Sequence, residues 1–514
     1  MQSPPEATAH EPGETRQGSR SAFADRARLI LDVSRVLEAV LVFIVVFVTV
    51  SWILIAVVHV GDRAFVFWPE ASRMALADSA RSGMLYPPLY EDGLYGGTRY
   101  MPIPILLHAA ASVFTGELIA SGKVVTYLSF GVLLRVIWVA TKRSGASVRR
   151  AAVLGAGLVA TDVGARASLG ISHDPLPIAL QLGALLLVEQ PTRRSVVGAG
   201  LLTSIAFLSK LSALWGAAAV ALWLLWRHRQ LLFPFVAMWV ATVGLGVLSV
   251  QLATDGRFGD NLFGLATSGI GSGTAMAHML RELVTLIPAA PAGILIPLAG
   301  IGMVSEIRAG RATVFHVGLI FSVVILLVEL ADIGGSHNHA LDGMVLSAIV
   351  IAGLWKRWDR QIGRSAIIIL VVLMSVLASF PLGLGRVAWD TIDSALTRTP
   401  DPRYELMPLE NGITSSDRIL SEDASIPLLL GRDPIILDAF MLARIAERHP
   451  EWRQALVDRI VRREFDWIVL LTPLDDAPPG WYTDIHLGAE ISEAIATHYI
   501  FVGHRGRFAV YAPS

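Results

Sequence analysis

The chain has 514 residues, of which 54% are hydrophobic and 17% are charged; its net charge is -1 and its mean hydropathy is +0.57. Soluble proteins average about 45–50% apolar and about 25% charged residues, so this composition favours a membrane protein. The near-neutral charge gives no indication of nucleic acid as a partner. The absence of cysteine excludes disulfides, thiolate nucleophiles and cysteine-ligated metal sites.

The first part of the chain, residues 1–36, is predicted to be a disordered cytoplasmic tail. It is polar and rich in proline, serine and glutamate, a composition that cannot bury enough apolar surface to fold. The first apolar run begins near Leu37 and is too long for the hydrophobic region of a signal peptide.

Residues 37–384 contain about eleven apolar runs that are predicted to be transmembrane helices. About 20 residues at 1.5 Å rise cross a hydrocarbon core of about 30 Å. The runs are Leu37–Val60, Val124–Ala140, Ala151–Leu169, Leu176–Val188, Val196–Leu208, Leu211–Trp226, Leu231–Leu252, Leu283–Val304, Val314–Leu330, Leu341–Trp355 and Ala366–Leu384.

The first long connection, residues 61–122, is predicted to contain an amphipathic helix over Phe67–Arg81 and an interfacial or re-entrant helix over Met101–Phe114. If Met101–Phe114 does not cross, all the clusters of Lys and Arg in short loops fall on one side, which the positive-inside rule assigns to the cytoplasm. The N-terminus is then cytoplasmic, and everything after about Gly385 lies outside.

The last part, residues 385–514, mixes charge with short β-type runs and is predicted to be a soluble α/β domain outside the membrane. The expected strands are Arg418–Ser421, Ile435–Leu437, Trp467–Leu471 and Phe508–Tyr511, and the expected helices are Phe440–Glu464 and Ala489–His498. The predicted fold class is therefore mainly α, a polytopic membrane helical bundle with a C-terminal soluble α/β domain.

Ionisable side chains near membrane depth are costly and need either a partner or a function. Asp62, directly after the first run, could act as a general base towards an acceptor hydroxyl, bind a divalent cation, or simply end a helix. Glu70, Arg73 and Asp78 follow on the amphipathic helix, where a solvated face explains them.

A second acidic position is the turn His173-Asp174-Pro175. Pro175 disfavours helical backbone geometry at Asp174, so the acid is expected in a tight turn that caps the next helix. His173 is expected to be a surface or capping partner rather than a metal ligand.

Lys210 is the single charge inside an apolar stretch of more than thirty residues. The charge bias of the loops requires a reversal there, which puts its ammonium at the outer face. It could pair with a phosphate or with an acid such as Asp174, or it could be a snorkelling lysine at a helix end.

Two further outer loops carry polar groups. The glycine-rich loop Thr254–Leu283 contains Arg257 and Arg281, which could meet an anionic head group above a site. His337, Asn338 and His339 lie together between two runs, where hydrogen bonding to a polar ligand and metal binding are both open. All these candidates fall on the non-cytoplasmic side, which predicts one outward-facing polar cavity.

At this point the sequence resembles the GT-C superfamily of multi-spanning glycosyltransferases that use polyprenyl-phosphate sugars, such as protein O-mannosyltransferases and aminoarabinose transferases. The resemblance rests on the order of short motifs: an acid after the first run (Asp62), RYMPIPILLHAAASVFTG (Arg99–Gly116), HDP (His173–Pro175), FLSKLSALW (Phe207–Trp215) and GGSHNHALD (Gly334–Asp342). The C-terminal part is similar to the soluble tail of uncharacterised bacterial members.

The resemblance implies an inverting transfer of a sugar from a polyprenyl-phosphate donor to a hydroxyl of a cell-envelope glycan, lipid or protein, on the outer face of the plasma membrane. It implies Asp62 as the base and a donor site containing Lys210, Asp174, His173, Arg257, Arg281 and Asn338. Glu70, Tyr100 and His337 would border the acceptor. Several subfamilies have two adjacent acids after the first span, whereas Arg63 follows Asp62 here, which leaves a requirement for Mg or Mn open.

Two other functions compete with transfer. A transporter predicts internal repeats and polar groups near the middle of several spans, and the sequence shows neither clearly. A non-catalytic envelope scaffold with a binding tail predicts that the polar candidates are dispersed rather than gathered at one cavity.

Overall fold

The computed structural model describes residues 36, 39–265, 275–289, 291–332, 335, 337–358, 384–397, 413–414 and 416–514. The expected tail over 1–36, except Val36, and the expected span Ala366–Leu384, except Leu384, lie outside these residues. The basic residues near positions 26 and 360 lie outside them as well, so the orientation of the termini stays a prediction.

Long apolar helices make up the first part of the described chain. They are α1 (Ala39–Val58), α4 (Leu118–Arg143), α5 (Val148–Ala160), α6 (Asp162–Leu169), α7 (Pro175–Leu187), α8 (Arg193–Ser209), α9 (Trp215–Arg227), α10 (Leu232–Ala253), α13 (Leu295–Arg308), α14 (Val314–Leu330) and α15 (Ala340–Trp358). A single core of aliphatic side chains joins them and contains the buried indoles of Trp215 and Trp355.

By length and composition, four helices of the described chain can each cross a membrane: α1, α4, α10 with the 3-10 turn before it, and α15 with the 3-10 turn before it. A fifth crossing is possible if α5 and α6 form one broken span, since they are bent by 83°. Eight of the eleven predicted runs coincide with one helix each, but several of these helices are shorter than a full span, and the run Ala151–Leu169 is two helices, α5 and α6. The expected run Leu283–Val304 is divided by the 3-10 turn Pro291–Ile294.

The connection between α1 and α4 contains the two expected shorter helices, α2 (Trp68–Arg81) and α3 (Pro102–Thr115). Proline near the N-terminus of each one suits a position whose N–H has no partner within the helix. The prediction of a solvated face on α2 is wrong for Arg73, whose side chain is buried. The described part of the glycine-rich loop is helical, as α11 (Arg257–Leu265) and α12 (Ala275–Ala289).

The C-terminal α/β domain is built on a mixed four-stranded sheet in the order β1-β2-β4-β3. Its strands are β1 (Ile419–Ser421), β2 (Trp467–Leu470), β3 (Tyr499–Arg505) and β4 (Phe508–Pro513); its helices are α17 (Ser425–Leu429), α18 (Ala439–Arg448), α19 (Pro450–Val461) and α20 (Ala489–His498). A helix before it, α16 (Leu384–Thr397), packs through Leu384 and Ala388 on the helical core.

Two predictions for this domain are wrong, and strand β3 has no counterpart among the predicted strands. Residues 435–437 form only an isolated bridge between Ile436 and Tyr95 of the first long connection, so they are not a strand of the sheet. The expected helix Phe440–Glu464 is two helices, because Pro450 has no N–H to continue the first and begins the second. Strand β3 lies at the edge of the sheet.

The domain packs against the helical part through the connection between α1 and α4. Tyr95 is buried in the core of the domain, and its backbone bonds Ile435 and Leu437 at 2.8 and 2.9 Å. The domain is therefore placed beside the turn that follows α1, where Asp62 lies.

Candidate active site

Asp62 lies in the turn after α1, with its side chain 35% exposed. Its Oδ1 accepts a hydrogen bond from the backbone N–H of Ala64 at 2.8 Å, and its Oδ2 lies 2.5 Å from Nδ1 of His59. Burial raises the pKa of Asp62, but the bonds from His59 and Ala64 outweigh it and lower that pKa below its ordinary value. Asp62 is therefore an ionised acceptor that solvent can reach.

Lys123, near the start of α4, contacts the backbone of the same turn. Its Nζ lies 2.5 Å from the carbonyl oxygen of His59, 2.9 Å from that of Asp62 and 3.7 Å from Oδ1 of Asp62. The other ring nitrogen of His59 lies 2.7 Å from Oγ1 of Thr391 on α16. These contacts fix the backbone on which the carboxylate stands.

Asp174 lies directly before α7 and pairs with Lys210 at 2.9 Å. The expectation that Asp174 is non-helical and caps α7 is wrong: its backbone is helical in spite of Pro175, and its side chain makes no capping bond. Its carboxylate accepts instead from Oγ of Ser172 at 3.3 Å. Burial opposes its charge, but Lys210 and Arg73 hold the pKa of Asp174 well below its ordinary range.

Lys210 lies in the break between α8 and α9 and is surrounded by acids. Its Nζ is 3.8 Å from Oε1 of Glu329, which in turn lies 2.8 Å from Nδ1 of His339. Burial lowers the pKa of Lys210, but Asp174 and Glu329 together raise it above its ordinary value. The ammonium thus carries a fixed positive charge.

A small pocket opens beside this cluster. It is lined by Lys210, Glu329, His339, Asp342, Trp215 and five further residues, and Nε1 of Trp215 donates to Oδ1 of Asp342 at 2.6 Å. Asp62 is not among the lining residues. Among the described residues, this pocket therefore does not bring Asp62 and Lys210 into one wall, although the sequence predicted that it would.

A chain of polar contacts nevertheless joins the two acidic turns. Thr126 lies one helical turn after Lys123 on α4, and its Oγ1 accepts a bond from the N–H of Ser172 at 3.0 Å. The hydroxyl of Ser172 then contacts Asp174. The Asp62 turn and the Lys210 cluster are thus neighbours on either side of the start of α4.

His173 is buried, and neither of its ring nitrogens has a hydrogen-bond partner among the described residues. Burial and the charge of Arg73 lower its pKa well below the ordinary histidine value, so the ring is neutral. The side chain packs edge to face with the Tyr100 ring, whose centroid is 5.8 Å away. The expectation of a surface or capping histidine is wrong.

Arg73 of α2 connects Glu70 and Tyr100 to this region. Its Nη1 donates to the carbonyl oxygen of Ile171 at 2.9 Å and lies 3.4 Å from Glu70, and its guanidinium stacks 5.1 Å from the centre of the Tyr100 ring. Burial raises the pKa of Glu70 against the effect of Arg73. Burial likewise raises the pKa of Tyr100, so its phenol is neutral.

The remaining predicted residues border the cluster or lie apart from it. His337 contacts Oγ1 of Thr285 at 3.1 Å and Glu282 at 3.4 Å, and half-buried Asn338 follows it in the turn before α15. Arg281 precedes Glu282 on α12 and is exposed. Arg257 starts α11 and bonds the carbonyl oxygen of Thr254 at 2.9 Å.

Asp62 and the turn His337–His339 are the positions at which the sequence leaves a metal ion open. Within the described part of the chain, no three His, Asp or Glu side chains form a group that could hold a metal ion. A lysine ammonium already lies beside Asp174 and Glu329, and another beside Asp62. Each carboxylate therefore has its counter-charge from the protein.

Three members of the site were missed in the sequence: Lys123, Glu329 and His59. Lys123 and Glu329 are isolated charges at the ends of apolar helices, the same signal that identified Lys210. His59 ends the first run three residues before Asp62, a spacing at which two side chains can meet across one turn.

Solved structures with a similar fold agree with this architecture, whereas no protein-family model and no curated protein matches the chain. ArnT from Cupriavidus metallidurans in the apo state aligns with a TM-score of 0.55 at 15% identity, over 91% of this chain and 97% of its own. The same enzyme bound to undecaprenyl phosphate gives 0.54 at 15% identity, over 91% and 98%.

The apo Archaeoglobus fulgidus oligosaccharyltransferase aligns with a TM-score of 0.51 at 12% identity, over 92% of this chain and 74% of its own. Identities this low compare folds rather than activities. The alignments nevertheless extend through both the helical part and the C-terminal domain. The chain therefore has the fold of the GT-C glycosyltransferases, as the order of its sequence motifs predicted.

Proposed function

We propose that this protein is a multi-pass membrane glycosyltransferase that moves a sugar from a polyprenyl-phosphate donor to an acceptor hydroxyl. The observation that carries the proposal is the combination of this fold with an ionised, solvent-accessible Asp62 beside a cluster containing a charged lysine. The structural neighbour ArnT binds undecaprenyl phosphate, which supports a lipid phosphate in the donor. The acceptor is a glycan, lipid or protein of the cell envelope.

The proposed reaction is one displacement at the anomeric carbon. Asp62 takes the proton of the acceptor hydroxyl while its oxygen bonds to the anomeric carbon, and the bond from that carbon to the phosphate oxygen breaks. The polyprenyl phosphate leaves with the electron pair of the broken bond. Attack from the face opposite the phosphate inverts the configuration, because no covalent sugar–enzyme intermediate intervenes.

Cationic side chains stabilise the charge that develops on the departing phosphate. Lys210 supplies one of them, although Asp174 and Glu329 partly neutralise it. Arg257 and Arg281 have no carboxylate within 4.0 Å among the described residues, so they are the cations free to approach a phosphate. Asp174 then orients Lys210, and His173, Asn338, Glu70, Tyr100 and His337 border the sugar and acceptor.

The proposal places the reaction at the outer face of the plasma membrane, with the N-terminus in the cytoplasm and the C-terminal domain outside. The basic short loops support this orientation through the positive-inside rule. Helix α10, whose side chains are mostly exposed and apolar, supports a lipid environment around the bundle.

The test uses purified protein in lipid nanodiscs with a panel of radiolabelled polyprenyl-phosphate sugars and membrane acceptors. We expect Asp62→Asn to lower turnover by about 10²–10⁴-fold, the usual contribution of a general base. Asp162→Asn is the matched control, because Asp162 is a similarly exposed acid that pairs with Arg166 at 2.9 Å and does not line the pocket beside Lys210. Turnover by Asp62→Asn at the control's rate would remove the base assignment, and no transfer from any donor would remove the function.

A further inference from the structure

The turn after α1 has an unusual backbone that its surroundings must hold in place. Phe65 has a positive φ of 60°, which a bulky side chain rarely adopts. The N–H of Val66 donates to the carbonyl oxygen of Arg63 at 3.0 Å. Gly170 lies against this turn so closely that a Cβ there would be 2.7 Å from the carbonyl oxygen of Phe65. A strained turn of this kind persists only where neighbours over-determine it.

The C-terminal domain supplies several of these neighbours. Nη2 of Arg63 lies 2.8 Å from Oδ2 of Asp423, and Nη2 of Arg507 lies 3.4 Å from the same oxygen. Arg507 also donates to the carbonyl oxygen of Val66 at 2.6 Å. The domain thus contacts the turn by one side chain on each side of Phe65.

The central acid of this group, Asp423, is held by its own domain through one oxygen and reaches the turn with the other. Oδ1 of Asp423 accepts from the N–H and the hydroxyl of Ser425 at 3.0 and 2.5 Å. The side chains of Arg63 and Asp423 are 3% and 1% exposed. Burial opposes the charge of Asp423, but Arg63 and Arg507 lower its pKa below the ordinary value.

A buried ion pair adds little net stability, because desolvation offsets the attraction between its charges. Its geometry is nevertheless restricted, because the Arg63 guanidinium both bonds Asp423 through Nη2 and stacks 5.0 Å from the centre of the Phe508 ring. Arg63 is the residue next to Asp62, so the position of its guanidinium restricts the backbone that carries the Asp62 carboxylate. These contacts connect the domain to the acid without any direct bond to it.

We propose that the C-terminal domain positions Asp62 through the cluster of Arg63, Asp423 and Arg507. Arg63 and Asp423 are positioning residues, and the inference rests on the proposed function only where it concerns turnover. Arg63 stands where several relatives are expected to have a second acid. Its role here is to join the turn to the soluble domain.

Hydrogen exchange tests the positioning without any substrate. In the full-length protein, Asp423→Asn should accelerate amide exchange of the peptide over residues 60–67 by about tenfold or more, since local opening governs exchange. Glu422→Gln is the matched control: Glu422 is the adjacent buried acid, but it accepts from Leu471, Tyr482 and Trp481, all within the domain. Equal exchange of this peptide in both variants would overturn the proposal.

A milder variant distinguishes loosening of the turn from unfolding of the whole C-terminal domain. Arg63→Lys keeps the charge but loses the planar guanidinium that bonds Asp423 and stacks on Phe508, so exchange in the same peptide should rise while exchange across β1, β2 and β4 stays at the wild-type rate. Faster exchange throughout the domain, with no excess in the turn, would contradict the proposal.

Turnover supplies the second measurement. With a donor that the wild-type protein uses, Arg63→Lys should lower kcat by about 10–100-fold, the effect of a misplaced catalytic group, at unchanged donor KM. If Asp62→Asn is inactive while Arg63→Lys and Glu422→Gln lose turnover equally, the positioning role fails and the function stands. If Asp62→Asn is fully active, the base assignment fails, and exchange alone decides the positioning.

Discussion

The two acidic turns around Asp62 and Asp174 contain similar groups but differ in exposure. The Asp62 side chain is 35% exposed and its nearest ammonium is 3.7 Å away, bound mainly to backbone carbonyl groups. The Asp174 side chain is 9% exposed and holds Lys210 directly at 2.9 Å. The Asp62 carboxylate can still exchange a proton with a ligand, whereas the Asp174 carboxylate is paired with the ammonium of Lys210.

This difference in exposure distinguishes the acid that can act as a base, Asp62, from the buried pair that stabilises the fold, Asp174 and Lys210. A base must reach the proton that it removes, so exposure and a free face matter more than the number of partners. A buried ion pair that loses one partner leaves a charge without compensation, so stability is most sensitive there. Stability effects should therefore concentrate at Asp174 and Lys210, and pH effects at Asp62.

The largest stability effect is expected for Lys210→Met. It leaves Asp174 and Glu329 without their shared cation and should lower the free energy of unfolding by about 3–5 kcal/mol. Arg166→Met is the matched control, since it breaks an exposed pair worth about 0–1 kcal/mol. Thermal unfolding in detergent measures both. Equal melting temperatures for the two variants would show that the Lys210 cluster contributes no more to stability than a surface ion pair.

A smaller loss is expected for Trp215→Phe in the wall of the same cavity. The indole is buried and donates to Asp342, so its removal should cost about 1–3 kcal/mol by leaving a buried acceptor unsatisfied. Trp223→Phe serves as the control, because the indole N–H of Trp223 has no partner among the described residues. The same unfolding assay compares the two, and a larger loss at Trp223 would contradict the assignment.

At Asp62 the sharper effect is on pH dependence. His59→Ala removes a hydrogen bond that lowers the pKa of Asp62, so that pKa should rise and the acidic limb of the kcat/KM profile should move to higher pH. The sign follows because the base acts only when deprotonated. Thr391→Val, which removes the partner on the far side of the His59 ring, should move the limb less. If the acidic limb does not move in His59→Ala, the titration of Asp62 is not what produces that limb.

The smallest effect is expected from chelation. Asp62, Asp174 and Glu329 each have a lysine beside them, so EDTA should leave turnover within about twofold of the untreated rate, compared with the severe loss expected when an essential catalytic metal is removed. Turnover in the presence and absence of added Mg or Mn provides the measurement. A requirement for either ion would mean that ligand binding rearranges one of the two clusters.

Much of the fold could be predicted from the sequence, because helix formation in apolar runs is a local matter. Eight of the predicted runs coincide with single helices, and the shorter helices predicted at Phe67–Arg81, Met101–Phe114 and Ala489–His498 are also present within a residue or so. Boundaries with local chemical signals, such as Pro450, could have been placed more closely. The isolated bridge at Ile436 could not, because its partner Tyr95 is over 300 residues away in the chain.

The candidate residues were selected by one rule, that a charge beside an apolar run needs a reason. That rule found Asp62, Asp174 and Lys210, and applied evenly it also identifies Lys123 and Glu329. It did not predict that the backbone of Asp174 is helical and that its side chain does not cap α7. The contacts of the carboxylate with Lys210 and Ser172 outweigh the preference for a non-helical backbone before proline.

The sequence alone determined the apolar helices and the positions of isolated charges, since each depends on neighbouring residues and their transfer from water. Only the tertiary structure decided which charges meet. The pairs Asp174–Lys210, Lys123–Asp62 and Arg63–Asp423 join distant segments, the last across 360 positions. Pairing depends on which helices pack and where the soluble domain docks, and no local preference encodes that choice.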